Sequence, residues 1–173
     1  MHFAETGAMH DMGKVISLRA LSRFRGRLRK NKKRVVFTNG TFDILHRGHV
    51  EYLLAAKKMG DVLIVGLNTD ASVRRLKGAG RPINTAADRA TVLAALASVD
   101  YVCLFAEDTP YRLIRTLLPD VLVKGADWKK EAIVGKDFVE AHGGIVRRVR
   151  LTTGRSTSSI IARVLRSRAG RRR

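Results

Sequence analysis

Thr38-Asn39-Gly40-Thr41-Phe42-Asp43-Ile44-Leu45-His46-Arg47-Gly48-His49, directly behind the apolar run Val35-Val36-Phe37, decides how this chain folds. The apolar run predicts a buried strand, Gly40 a tight break, and Val50 to Met59 a helix that opens behind two histidines three residues apart. A strand that turns through glycine into a helix start aims backbone N–H groups and the positive end of the helix dipole at one spot, an arrangement that holds phosphate. His46 and His49 add donors or positive charge from the same side. A single histidine at a helix start more often caps than catalyses. Here Gly40 frees the backbone, Gly48 admits close approach of a ligand, and the two histidines bracket that opening.

Moving outward, apolar runs alternate with helical patterns. Strands are expected at Asp61–Leu67, Tyr101–Phe105, Val121–Val123 and Ile145–Val149, and helices near Ala71–Leu76, Arg89–Ala97, Tyr111–Leu118, Phe138–His142 and Thr157–Arg168. Five short apolar strands separated by helices predict an α/β fold with a five-stranded parallel sheet and helices on both faces. Ligands of such sheets sit beyond the carboxyl ends of the strands. Three loops leave those ends with polar cargo: Gly40 to His49, Lys124-Gly125-Ala126-Asp127-Trp128, and Thr152-Thr153-Gly154-Arg155-Ser156-Thr157-Ser158. The last offers a cap, backbone donors and a cation suited to triphosphate oxygens, although an ordinary hydroxyl cap has the same residues.

The chain has 173 residues, enough for one domain with a substantial core. Residues 1–13 are expected to be a flexible extension, 14–168 the domain and 169–173 a basic tail. The lone cysteine, Cys103, lies in an apolar run, which predicts an inert buried thiol and fits a reducing cytoplasm. No stretch resembles a secretory signal or reaches the length of a membrane span. Net charge is +19, with nine cations between Arg19 and Arg34 and more from Arg163 to Arg173. Without interleaved aromatics or a DNA-binding motif, these basic ends read as solvated faces ahead of a nucleic-acid surface, with steering of anionic substrates a third reading.

Other chemistries lack their residues. There is no Walker-type loop, and Gly78-Ala79-Gly80 neither completes a dinucleotide fingerprint nor follows a strand. No His-Glu-x-x-His or cysteine cluster marks a protein metal site, and no serine triad is suggested. Catalysis by positioning and charge remains.

From Val35 through Ile160 the chain resembles the nucleotidyltransferase superfamily with the His-x-Gly-His signature, and within it the adenylyltransferases that form ADP-heptose. The resemblance rests on residues 37–49, Gly66-Leu67-Asn68-Thr69-Asp70, Ser72-Val73-Arg74-Arg75-Leu76-Lys77-Gly78, Arg81-Pro82-Ile83-Asn84, Glu107-Asp108-Thr109-Pro110, Pro119-Asp120-Val121-Leu122-Val123-Lys124-Gly125 and Ser156-Thr157. His-x-Gly-His alone is shared with cytidylyltransferases and class I aminoacyl-tRNA synthetases; the whole series discriminates further. The chain departs from the pattern at Ser158, where threonine is common, and at Ala126, where glycine or aspartate is.

The resemblance implies a Rossmann-like fold and transfer of AMP from ATP to D-glycero-β-D-manno-heptose 1-phosphate, a step toward lipopolysaccharide core, with magnesium carried by ATP. It assigns His46, His49, Lys77 and Arg81 to catalysis, Lys77 and Arg81 from a mobile loop. Asn39, Gly40, Thr41, Phe42, Gly48, Asp127, Arg155, Ser156, Thr157 and Ser158 would hold the nucleotide, and Asp43, Asn68 and Lys124 would face the sugar phosphate. A homodimer and a separate sugar kinase supplying the acceptor are further implications. The competing expectations are a cytidylyltransferase for an alcohol phosphate such as glycerol 3-phosphate, and a basic nucleic-acid- or membrane-associated binding protein with a vestigial site.

Overall fold

The computed structural model describes residues 13–150, 152, 154 and 156–169. Strands β1 (Val35–Gly40), β2 (Val62–Asn68), β3 (Tyr101–Phe105), β4 (Val121–Gly125) and β5 (Ile145–Val149) form one parallel sheet in the order β3-β2-β1-β4-β5. The helices are α1 (Leu18–Lys30), α2 (Arg47–Lys57), α3 (Asp70–Lys77), α4 (Ala86–Ala94), α5 (Tyr111–Leu117), α6 (Lys136–Ala141) and α7 (Thr157–Ala169).

Burial on both faces explains the unbroken apolar runs. In β1, Val36 joins one core while Val35 and Phe37 join the other; in β2, Leu63, Val65 and Leu67 oppose Ile64; in β4, Val121 and Val123 oppose Leu122. The first core includes Tyr52, Leu53 and Ala56 of α2 with Ala90 and Leu93 of α4. The second includes Leu21 and Leu28 of α1, Leu113, Ile114 and Leu117 of α5, and Val139 of α6. Cys103 is buried in that second core, where burial pushes its thiol up to about 12.

Sequence periodicity did not reveal α1. Its charge density reads as an arm, yet Leu21, Arg25 and Leu28 are buried, Ser17 caps its start by accepting from the Ala20 N–H, and the Arg25 guanidinium donates to Leu117 O and Asp120. The helix α2 starts three residues earlier than its apolar pattern suggests, so His49 stands in its first turn.

β1 pairs with β2 on one side and β4 on the other, and consecutive strands run outward from it in opposite directions. The switch point therefore falls between the carboxyl ends of β1 and β4, at Gly40 and Gly125. Among the described residues no helix is long and apolar enough to cross a membrane.

Candidate active site

The loop from β1 into α2 is shaped by Phe42. Its backbone has φ of 40°, in the left-handed region, and its ring lies so close to Gly40 that a Cβ there would stand 3.0 Å from the ring edge. Glycine at 40 thus lets Phe42 fold inward, and the strained φ costs about 1 kcal/mol. The Phe42 ring centroid is 5.2 Å from that of His49.

His46 takes the cap position of α2 with extended backbone, and its carbonyl accepts from the His49 N–H at 2.9 Å. That turn brings the two imidazoles together, centroids 3.9 Å apart and 23° between planes. Burial first, then His46 and Lys77, holds the His49 imidazole down to about 4, so it is neutral at pH 7. His49 Nδ1 is buried and finds no hydrogen-bond partner among the described residues. A buried polar atom of that kind, at a helix start, suits a ligand oxygen.

Two lysines stand at the ends of the elements around this loop. Lys77, the last residue of α3, donates to Thr41 Oγ1 at 3.0 Å, and its pKa is lowered by burial and then by Arg81, against the pull of Asp43. Lys124, near the end of β4, donates to Asn39 Oδ1 at 2.6 Å across the switch point and lies 5.3 Å from the centroid of the half-exposed Trp128 ring. Burial depresses Lys124 to about 8, with Asp127 opposing. Both ammonium groups are partly stripped of water, a state that strengthens any anion they meet.

Two of the residues expected to face the sugar phosphate, Asp43 and Asn68, are tied to the protein. Asp43 is buried; its Oδ1 accepts from the Ile83 and Asn84 N–H groups at 2.8 and 3.0 Å, and its Oδ2 lies 2.8 Å from Arg81 Nη2 without hydrogen-bond alignment. Asn84 returns a bond to the Asp43 carbonyl. Asp43 therefore pins the segment that follows α3 and carries Arg81. Asn68, also buried, donates to Ser72 Oγ inside α3.

Thr157 at the start of α7 donates to the Ile44 carbonyl at 3.4 Å, and Ser156 caps that helix by accepting from the Ser159 N–H. This brings the α7 start beside the β1–α2 loop. Thr152 bonds Glu51 of α2. Ser158 is exposed, Gly48 is buried within α2, and Arg155 lies outside the described residues.

Arg89 is a site residue that the motifs did not reveal. Its side chain is fully buried and donates to the carbonyls of Asn84 (3.1 Å), Thr41 (2.6 Å) and Asn68 (2.9 Å) and to Asp70 (2.7 Å). One guanidinium thus joins the ends of β1 and β2 to the Asp43-pinned segment. The available signal was an arginine on the apolar stripe of α4, one turn before Leu93. Tyr52 is a second such residue: its hydroxyl shares a 2.7 Å bond with Thr38 and donates to Val123 O, and burial raises its pKa. It ties α2 to β1 and β4 beneath the switch point.

Comparison with known proteins gives the family and the fold. Residues 37–163 match the model of the cytidylyltransferase-like family. The chain is 57% identical over 137 residues to the bifunctional protein HldE of Syntrophotalea carbinolica, covering 79% of this chain and 28% of that one. It is 53% identical over 161 residues to the bifunctional protein HldE of Citrifermentans bemidjiense, covering 93% and 33% respectively. It therefore spans a third or less of the length of these relatives. Among solved structures, the lipopolysaccharide core biosynthesis protein of Thermoplasma volcanium is 33% identical with a TM-score of 0.58, over 69% of this chain and 97% of that one. The pantoate-beta-alanine ligase of Francisella tularensis, 16% identical with a TM-score of 0.55, shares the fold. With the paired histidines at the switch point of a parallel sheet and a family match that runs from Phe37 at the site into α7, this chain belongs to the cytidylyltransferase-like family.

Proposed function

We propose that the domain is an adenylyltransferase that transfers AMP from ATP to D-glycero-β-D-manno-heptose 1-phosphate, giving ADP-heptose and pyrophosphate. The stacked His46–His49 pair at the start of α2, with Lys77 on Thr41 and Lys124 on Asn39 of the same loop and strand end, is the observation that carries this reading. The choice of acceptor is supported by the motif series through Lys124-Gly125 and Ser156-Thr157, and by similarity to a protein named for lipopolysaccharide core biosynthesis.

A phosphate oxygen of the sugar 1-phosphate attacks the α-phosphorus in line, the P–O bond to the β-phosphate breaks, and pyrophosphate leaves. The attacking oxygen is already ionised near neutral pH, so no general base is needed. The N–H groups of the β1–α2 turn and His46 and His49 hold the triphosphate; Lys77 and Arg81 neutralise charge that spreads onto the leaving group. Lys124 takes the acceptor phosphate beside Asn39, while Asp127, Ser156, Thr157, Ser158 and Arg155 bound the nucleoside side. Magnesium would arrive on the ATP phosphates, which commonly supply most of its ligands. The acceptor must come from a separate sugar kinase that phosphorylates the anomeric hydroxyl, and the longer relatives are themselves named bifunctional.

Pyrophosphate release with ATP or CTP, each paired with heptose 1-phosphate or glycerol 3-phosphate, tests the proposal. Release with ATP and the heptose phosphate alone is expected, and His49→Ala should cut turnover about 100-fold, the scale of one lost transition-state donor. Turnover with CTP and glycerol 3-phosphate, or an undiminished His49→Ala variant, overturns it.

A further inference from the structure

We propose that the solvent face of α1 and the cavity at its end bind the phosphate backbone of duplex nucleic acid, without reading its sequence. The helix carries Arg19, Arg23, Arg27 and Lys30 at spacings of four, four and three, which align them in one ridge about 16 Å long. At its carboxyl end the ridge runs into a cavity of about 340 Å³ lined by Arg25, Arg29, Lys32, Lys33 and Arg34, with Asp120 as the single carboxylate.

Asp120 is consumed by Arg25 and the Val35 N–H, and Lys33 is 3.6 Å from Asp61. No ion pair engages Arg19, Arg23, Arg27, Arg29, Lys30 or Lys32 among the described residues. A merely solvated face usually intersperses both signs. This helix contains no acidic residue, so each like-charge pair one turn apart costs about 0.2–0.5 kcal/mol. Lys32 also adopts φ of 51°, a conformation that glycine or asparagine would take more readily.

The ridge does not serve the active site. Lys32, Lys33 and Arg34 stand immediately before the first residue of β1, whereas the site begins at its last, about 16 Å along the strand. Nor does it suit a membrane surface, because none of the large exposed apolar side chains lies on α1 and there is nothing to insert between lipids. The aromatic of α1, Phe24, is only partly exposed and has the Arg27 guanidinium 5.3 Å above its ring, so single strands have no open stacking platform here. A duplex presents one charge per about 1.7 Å of axis, roughly nine phosphates along the ridge, and needs only charge complementarity.

The test is anisotropy of a labelled random-sequence duplex across a salt series. The slope of log K against log salt is expected at about −4 to −6, from five to six neutralised phosphates. Arg19→Ala/Arg23→Ala/Arg27→Ala should flatten that slope by about 3 and weaken binding at least about tenfold. Alanine is the best helix former, so circular dichroism should be unchanged. An equal-charge control, Arg112→Ala/Arg163→Ala/Arg166→Ala, should retain the slope. Equal losses in both variants would reduce the binding to diffuse net charge. Preference for anionic phosphatidylglycerol vesicles or for inorganic polyphosphate over the duplex would likewise overturn the proposal.

Discussion

Asp43→Asn separates a residue that touches substrate from one that holds the machinery in place. The substitution is close to isosteric; it removes the charge and, with the amide oxygen kept toward the Ile83 and Asn84 N–H groups, turns an NH2 donor toward Arg81. Oδ1 accepts two backbone N–H bonds, from Ile83 and Asn84, and a bond to a charged acceptor is worth about 1 kcal/mol more than one to a neutral acceptor. The Arg81 pair adds about 1 kcal/mol, kept small because the 2.8 Å contact is not aligned as a hydrogen bond and the Arg81 side chain is 17% exposed. Together these weaken the anchor by about 3 kcal/mol, or about 100-fold in the opening equilibrium of the segment. Amide hydrogen exchange at Ile83 and Asn84 should accelerate by that factor, with turnover falling because Arg81 loses its fixed position. Lost activity with unchanged exchange at these two amides would refute the anchoring role and put Asp43 against the substrate.

Arg89→Ala leaves Asp70 and three carbonyls without their donor, a loss of about 3–5 kcal/mol that should lower the melting temperature by roughly 6–20 °C in a differential scan; an unshifted melt refutes its role as the joint between loops. Gly66→Ala places a methyl 2.9 Å from Phe37 Cζ and 3.1 Å from Asn39 Cβ, so it should cost about 1–3 kcal/mol by chemical denaturation and raise KM for the acceptor through Asn39 and Lys124. Wild-type KM in a destabilised variant would uncouple Asn39 from the acceptor phosphate.

The strands were legible because parallel strands buried on both faces leave continuous apolar runs, and Val35-Val36-Phe37 or Val121-Leu122-Val123 can hardly be read otherwise. The β1–α2 junction was legible because its glycines and histidines are few and closely spaced. The helix α1 was not, because five cations are exposed on it and a sixth, Arg25, occupies a core position where its fork satisfies Leu117 O and Leu118 O. Arg89 escaped for a related reason: a buried guanidinium is recognised by acceptors that come from residues 41, 68, 70 and 84, and only folding brings those together. The Asp43 bonds to the Ile83 and Asn84 N–H groups join residues forty apart, and only folding brings those together.

The same burial that shapes the site discharges it, and this makes ligand binding a protonation event. His49 is held down to about 4 and Lys124 to about 8, both below the values of 6.5 and 10.5 expected in the unfolded chain. The empty folded protein therefore binds fewer protons than the unfolded one, and stability falls as pH drops from 10.5 toward 8 and again from 6.5 toward 4. Polyphosphate supplies the charge that desolvation removed, so both values rise on binding. At pH 8 Lys124 is about half protonated when the site is empty, and its completion alone takes up about 0.5 proton, with His49 adding to that. Calorimetric titration of pyrophosphate in two buffers of different ionisation enthalpy reads this uptake directly, after correction for the ligand's own ionisation. The uptake should shrink in Lys124→Met, and pyrophosphate affinity in the wild type should fall as pH rises past about 8. A net release of protons, or an affinity flat from pH 7 to 9, would mean that the desolvated lysine at the switch point does not meet phosphate.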